Sequence, residues 1–180
     1  MLILGHRGVR SDDLRENTLE AFQRAVDLGA DGIETDVRRT RDGRLVLFHD
    51  RLSPAGTPVA QLGHAALEAA AGHHVPELGE ALAAWPDLLW DLEIKTPDFP
   101  GPLKRALSGR TGTRLILTSP HHEFLLAHGP DLGLPFGPVI NHRPPSAEAL
   151  LGPWRGSPPA YCVWNVDHLD GEILGAVREA

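Results

Sequence analysis

Seven short runs of apolar and β-branched residues, each ending in polar side chains, alternate along most of this chain with stretches of helical spacing. The runs are "LILGH" at 2–6, "GIETDV" at 32–37, "RLVLFHD" at 44–50, "LLWDLEIK" at 88–95, "RLILTS" at 114–119, "FGPVIN" at 136–141 and "YCVWNV" at 161–166. Helical patterns fall at 17–29, 64–71, 77–85, 100–107, 121–128 and 169–179. Alternation of this kind implies parallel strands joined by right-handed helical crossovers, with helices covering the sheet. An open doubly wound sheet and a (β/α) barrel both satisfy it. The first helix is the best defined: Asn17 is placed to cap it, Glu20 stands three residues on as in a capping box, and Gly29 can close it. No Gly-x-Gly-x-x-Gly or Walker-type loop follows a strand, which weakens the dinucleotide and nucleoside-triphosphate readings. The Pro-rich stretch 141–159 reads as loop with one short helix.

At 180 residues and 42% hydrophobic, the chain suits one globular domain, 1–180, with a real core. A formal net charge of -7 without any Lys/Arg block argues against nucleic acid and against a polybasic membrane anchor. No apolar run approaches spanning length, so stable membrane insertion is not expected. The opening "MLIL" is too short for a signal peptide, which makes the expected location cytoplasmic, with an exported form whose signal has been removed as the alternative. The single cysteine, Cys162, reads as a lone core thiol.

In either architecture the site lies where parallel strands end. There the chain places His6-Arg7-Gly8, then Glu34 and Asp36, then His49-Asp50, then Glu93 and Lys95. Residues i and i+2 of a strand share a face, so Glu34 joins Asp36 and Glu93 joins Lys95. Alone, "GIETDV" is just as well an ordinary half-buried strand with its acids in water. Three carboxylates converging on one sheet mouth are costly without a cation, and an all-oxygen set favours Ca²⁺ or Mg²⁺. His6 and His49, on different strands, are candidates for a general acid and a general base. The other eight histidines read as surface residues. Arg7 and Lys95 add fixed positive charge suited to a phosphate.

From "GHRG" through "ENTLEAFQRAVDLGADGIETDVRRTRDGRLVLFHD" and "VPELGEAL" to "LEIK", with a weaker echo in "VWNV", the chain resembles the glycerophosphodiester phosphodiesterase family. The resemblance implies a TIM barrel that hydrolyses glycerophosphodiesters to an alcohol and glycerol 3-phosphate with one divalent ion, Mg²⁺, Ca²⁺ or Mn²⁺. By similarity Glu34, Asp36 and Glu93 would be metal ligands, His6 and His49 the acid/base pair, and Arg7, Lys95 and Trp164 substrate contacts. The implied partner is a small phosphodiester. A lysophospholipase D-type enzyme and a catalytically inactive phosphate-binding relative are the alternatives. Arg15 replaces the family's usual proline, Asp91 its common asparagine, and 51–75 is a short insertion. The family's eighth strand has no counterpart before Ala180; a barrel without it would expose the edges of the first and seventh strands, so either the protein is truncated, another segment fills the gap, or a neighbouring chain does, which opens a route to oligomers.

Overall fold

The computed structural model describes residues 2–108, 114–164, 166–168 and 171–179. Asn165, in the seventh run, and residues 169–170, at the start of the last expected helix, lie outside the described residues. The chain divides into two compact units, Met1–Ile116 and Leu117–Ala180.

In the first unit, β1 (Leu4–His6) and β4 (Leu89–Ile94) flank β2 (Gly32–Arg39), all parallel. The register sets His6 beside Glu34, Glu34 beside Asp91, and Asp36 beside Glu93. One face of the sheet is apolar: Ile33, Val37, Trp90, Leu92 and Ile94 are buried, and the Trp90 ring meets Phe22 of α1 (Leu19–Asp27) edge-on at 5.4 Å. Fully burying an aromatic or aliphatic side chain contributes roughly 1.5–3 kcal/mol, so this face is what closes the helix onto the strands. Helix α1 matches its pattern but not its expected cap. Thr18 is the capping residue, its hydroxyl accepting from the Ala21 amide, and Asn17 is used elsewhere.

The third run departs from the parallel scheme. Strand β3 (Leu45–Leu47) pairs antiparallel with β2, Val37 opposite Leu47 and Arg39 opposite Leu45. The reason is the connection: Thr40 and Arg44 close a tight loop through the Thr40 amide on the Arg44 carbonyl, with Gly43 at φ +84. A parallel partner would need a crossover of a dozen or more residues, and "TRDG" is a hairpin turn. The 51–75 segment then folds back on the hairpin through α2 (His64–Ala71), burying Val59, Leu67, Ala71 and Val75 against Val46. Helices α3 (Leu78–Ala84) and α4 (Pro100–Leu107) complete the unit.

The alternation repeats from β5 (Leu115–Ser119), whose last three residues open the second unit, through α5 (His122–Leu132), β6 (Phe136–Ile140), α6 (Ala147–Leu151), β7 (Val163–Trp164) and α7 (Gly171–Glu179). β6 is parallel to both β5 and β7. Its core joins Ile140, Leu150 and Ile173, with Cys162, Trp164 and Val177 packed against them. Among the described residues no helix is long and apolar enough to cross a membrane.

Candidate metal and phosphate site

Strand alternation and register bring Glu34, Asp36 and Glu93 together, one oxygen of each lying within 4.8 Å of the others. They do not face water. Asp36 is fully buried, and the side chains of Glu34 and Glu93 are 14% and 12% exposed. Lys95 Nζ stands 2.7 Å from Glu93 Oε1 and 3.1 Å from Asp36 Oδ1. Arg7 Nε stands 3.0 Å from Asp36 Oδ2. The two contacts to Asp36 are close enough for ion pairing without the alignment of hydrogen bonds. Glu34 Oε1 and Asp36 Oδ1 are buried and accept no hydrogen bond. Asp36 Oδ1 keeps the Lys95 ion pair, and buried oxygens without hydrogen bonds are expensive.

Burial, then Asp36, Glu93 and Asp91, push the Glu34 carboxyl up to about 9. A hard divalent cation fits this set: it takes oxygen ligands, it would occupy lone pairs that accept no hydrogen bond, and it would reverse the field that keeps Glu34 protonated. Asp91, 7% exposed and opposite Glu34, strengthens that field.

Arg7 and Asn17 are held in a strained arrangement. Both are non-glycine residues at φ +56, tied together by the Asn17 amide donating to the Arg7 carbonyl at 3.0 Å. The Arg7 amide donates to the Glu34 carbonyl at 2.8 Å, and its guanidinium also meets Glu16 Oε1 at 3.1 Å. The next residue must be glycine, since a Cβ on Gly8 would come within 2.6 Å of the Ala21 carbonyl carbon. Asn17 Nδ2 donates to Asp36 Oδ2 at 2.8 Å, while its Oδ1 accepts from the Thr35 hydroxyl at 2.7 Å. This tether for Asp36 was missed in sequence because Asn17 also fits a helix cap; the signal was that Thr18, beside it, fits one equally well.

His6 Nε2 lies 3.7 Å from Glu34 Oε2, and the ring is 71% exposed. Burial of its inner edge and the Arg7 charge hold His6 below the ordinary imidazole range. His49 reaches the site on the hairpin, where the Phe48 amide donates to the Asp36 carbonyl at 3.0 Å. Its Nδ1 is 2.9 Å from Asp50 Oδ1, an acceptor, so in the neutral ring Nδ1 carries the proton and Nε2 is the nitrogen able to accept one. A cavity of about 570 Å³ is lined by Arg7, Asn17, Phe48, His49 and Asp50 among others. The carboxylates are not among its lining residues; Arg7 and Asn17 are the link between the two. Trp164 belongs to the second unit and packs against Ile140, Leu150 and Ile173. The expectation that the remaining histidines are surface groups fails at His64, 14% exposed with Nε2 on the Val75 carbonyl at 2.7 Å.

A family model described as the glycerophosphoryl diester phosphodiesterase family matches residues 6–101, which contain every residue of this cluster. The chain belongs to that family. It is 38% identical over 108 residues to a probable glycerophosphodiester phosphodiesterase 2 of Mycobacterium tuberculosis, a match covering 52% of this chain and 38% of that protein. It therefore spans well under half of that curated relative. The glycerophosphodiester phosphodiesterase structure from Thermotoga maritima is similar over 99% of this chain and 82% of its own, with a TM-score of 0.84 and 25% identity. A phosphodiesterase from Oleispira antarctica, solved in complex with the product sn-glycerol-3-phosphate, shares the fold at a TM-score of 0.79 and 21% identity, over 99% of this chain and 81% of that one. The fold class is accordingly the α/β barrel type of the family, with six parallel strands and the antiparallel β3 among the described residues and no strand after β7.

Proposed function

We propose that this glycerophosphodiester phosphodiesterase family member hydrolyses glycerophosphodiesters to an alcohol and glycerol 3-phosphate with a divalent ion held by Glu34, Asp36 and Glu93. The observation that carries the reading is the buried carboxylate triad, two of whose oxygens accept no hydrogen bond, braced by Arg7 and Lys95. The product complex of the Oleispira antarctica protein supports the substrate class. When bound, the ion supplies positive charge that stabilises the phosphodiester oxygens as charge develops on them. Lys95, now spent on Asp36 and Glu93, is released toward a phosphate once a cation takes over those acids. Arg7 is the second phosphate contact. One of His6 and His49 takes the proton of the nucleophile, a water or the glycerol 2-hydroxyl, and the other returns a proton to the departing alkoxide. His49 suits such a role because Asp50 holds its Nδ1 and fixes its tautomer.

Among the described residues β1 pairs only with β2 and β7 only with β6, and Leu2 and Ile3 are exposed. Free strand edges of this kind recruit other chains, so we read self-association as part of the proposal. The test is turnover of glycerophosphocholine with Mg²⁺, Ca²⁺ or Mn²⁺ and its loss on chelation. Full turnover in excess chelator after metal stripping would remove the metal from the scheme; ion binding without turnover on any diester would make the chain a binding relative.

A further inference from the structure

Arg38 lies on β2 two residues beyond Asp36, so alternation puts it on the face that carries Glu34 and Asp36. It is 8% exposed, an unusual place for a guanidinium unless its donors are well used. Two of them go to one atom: Nε and Nη2 donate to the His49 carbonyl oxygen at 2.9 and 2.6 Å. Burial lowers the guanidinium from its ordinary range, and the fields of Asp36, Asp50 and Glu93 oppose that shift.

The place of that carbonyl matters. The β2–β3 ladder ends at Leu47, so beyond it the chain carrying His49 has little regular pairing. The Phe48 amide on the Asp36 carbonyl holds the peptide plane before Phe48, and the two Arg38 bonds hold the plane after His49. The His49 Cα lies in the second of these planes, so the grip limits how far the segment that carries the side chain can swing. Asp50 then fixes the ring through Nδ1 at 2.9 Å, and the ring borders the cavity that Arg7 and Asn17 share.

We propose that Arg38 is a positioning residue for His49, gripping its backbone carbonyl so that the imidazole keeps its place at the cavity that Arg7 and Asn17 also line. The inference rests on the acid/base reading of His49 given above. Arginine suits the task better than lysine because its rigid fork delivers two bonds with a defined direction. It acts on the rate by keeping His49 in reach, and loss of such support typically costs ~10–100-fold.

The test compares Arg38→Ala, Arg38→Lys, His49→Ala and the double variant Arg38→Ala/His49→Ala in the full chain, with thermal melts and divalent-ion binding measured alongside. Arg38→Ala should lower kcat on glycerophosphocholine by ~10–100-fold with KM changed far less, Arg38→Lys should recover part of it, and the double variant should be no slower than His49→Ala. Losses that multiply in the double variant, or an Arg38→Ala rate equal to that of the parent, overturn the inference alone. A His49→Ala enzyme at full rate overturns the acid/base reading and the inference with it. Should Arg38→Ala fail to fold, Arg38→Lys carries the same comparison on the same double-variant scheme. Independently of turnover, the His49 ring signals in an NMR spectrum should move in Arg38→Lys while those of His64 and His74 stay; an unmoved His49 signal counts against the grip.

Discussion

Raising the pH from 6 to 8 should strengthen divalent-ion binding about a hundredfold, through Glu34. With the carboxyl pushed up to about 9, roughly 99% of it is protonated at pH 7, yet a cation needs the carboxylate. Each pH unit below 9 therefore costs about tenfold in apparent affinity, because one proton must leave for each ion bound. The stability of the metal-free chain runs the opposite way. The folded value lies above the ordinary 4.5, so ionisation favours the unfolded state, and stability falls as pH rises from about 4.5 toward 9. Calorimetric titration of Mg²⁺ or Ca²⁺ at pH 7 in two buffers of different ionisation enthalpy reads the proton count directly. It should approach one per ion, and Glu34→Gln, which has no proton to give, should bring it near zero. Affinity that is flat between pH 6 and 8, with no proton released, would refute the reasoning.

His6→Ala and His49→Ala should each lose ~10²–10⁴ in kcat with the melting temperature nearly unchanged, whereas His142→Ala should be neutral; equal losses at all three would mean the wrong pair was chosen. Asn17→Ala removes the buried donor to Asp36 and puts alanine at φ +56, so urea unfolding should show a loss of roughly 2–4 kcal/mol. A loss under about 0.5 kcal/mol would show that Asp36 needs no tether. His74 bridges Glu68 at 2.6 Å and Glu80 at 2.9 Å, and its imidazole is raised above 6.5: burial opposes the shift and the bonds to the two acids outweigh it. That small, salt-sensitive stabilisation is complete below pH 6.5 and disappears as pH rises through the raised value. Thermal melts of His74→Gln across pH 5 to 9 should lack the step that the parent shows.

Local patterns carried much of this protein. The alternation of apolar runs and helical stretches marks an α/β chain with parallel strands, because the two periods, 2 and 3.6, are properties of the backbone itself. The pairs Glu34 with Asp36 and Glu93 with Lys95 share faces for the same reason, and the helix at His64–Ala71 lies where its spacing puts it. Asn17 shows the limit. Its sequence context allows a cap, and only the approach of β2 gives its amide the buried carboxylate of Asp36. The alternation placed the third run among the parallel strands; that the chain turns back at 40–44, so that β4 rather than β3 becomes the parallel neighbour of β2 and Glu93 stands beside Asp36, shows only in the assembled sheet. Burial settles the rest. Whether Glu34 is a surface acid or a carboxyl raised to about 9 depends on how completely neighbouring strands and loops remove water from it, and whether Arg38 grips a carbonyl depends on where the hairpin returns. Solvation and long-range pairing belong to the assembled sheet, since no single strand excludes water or chooses its own neighbour.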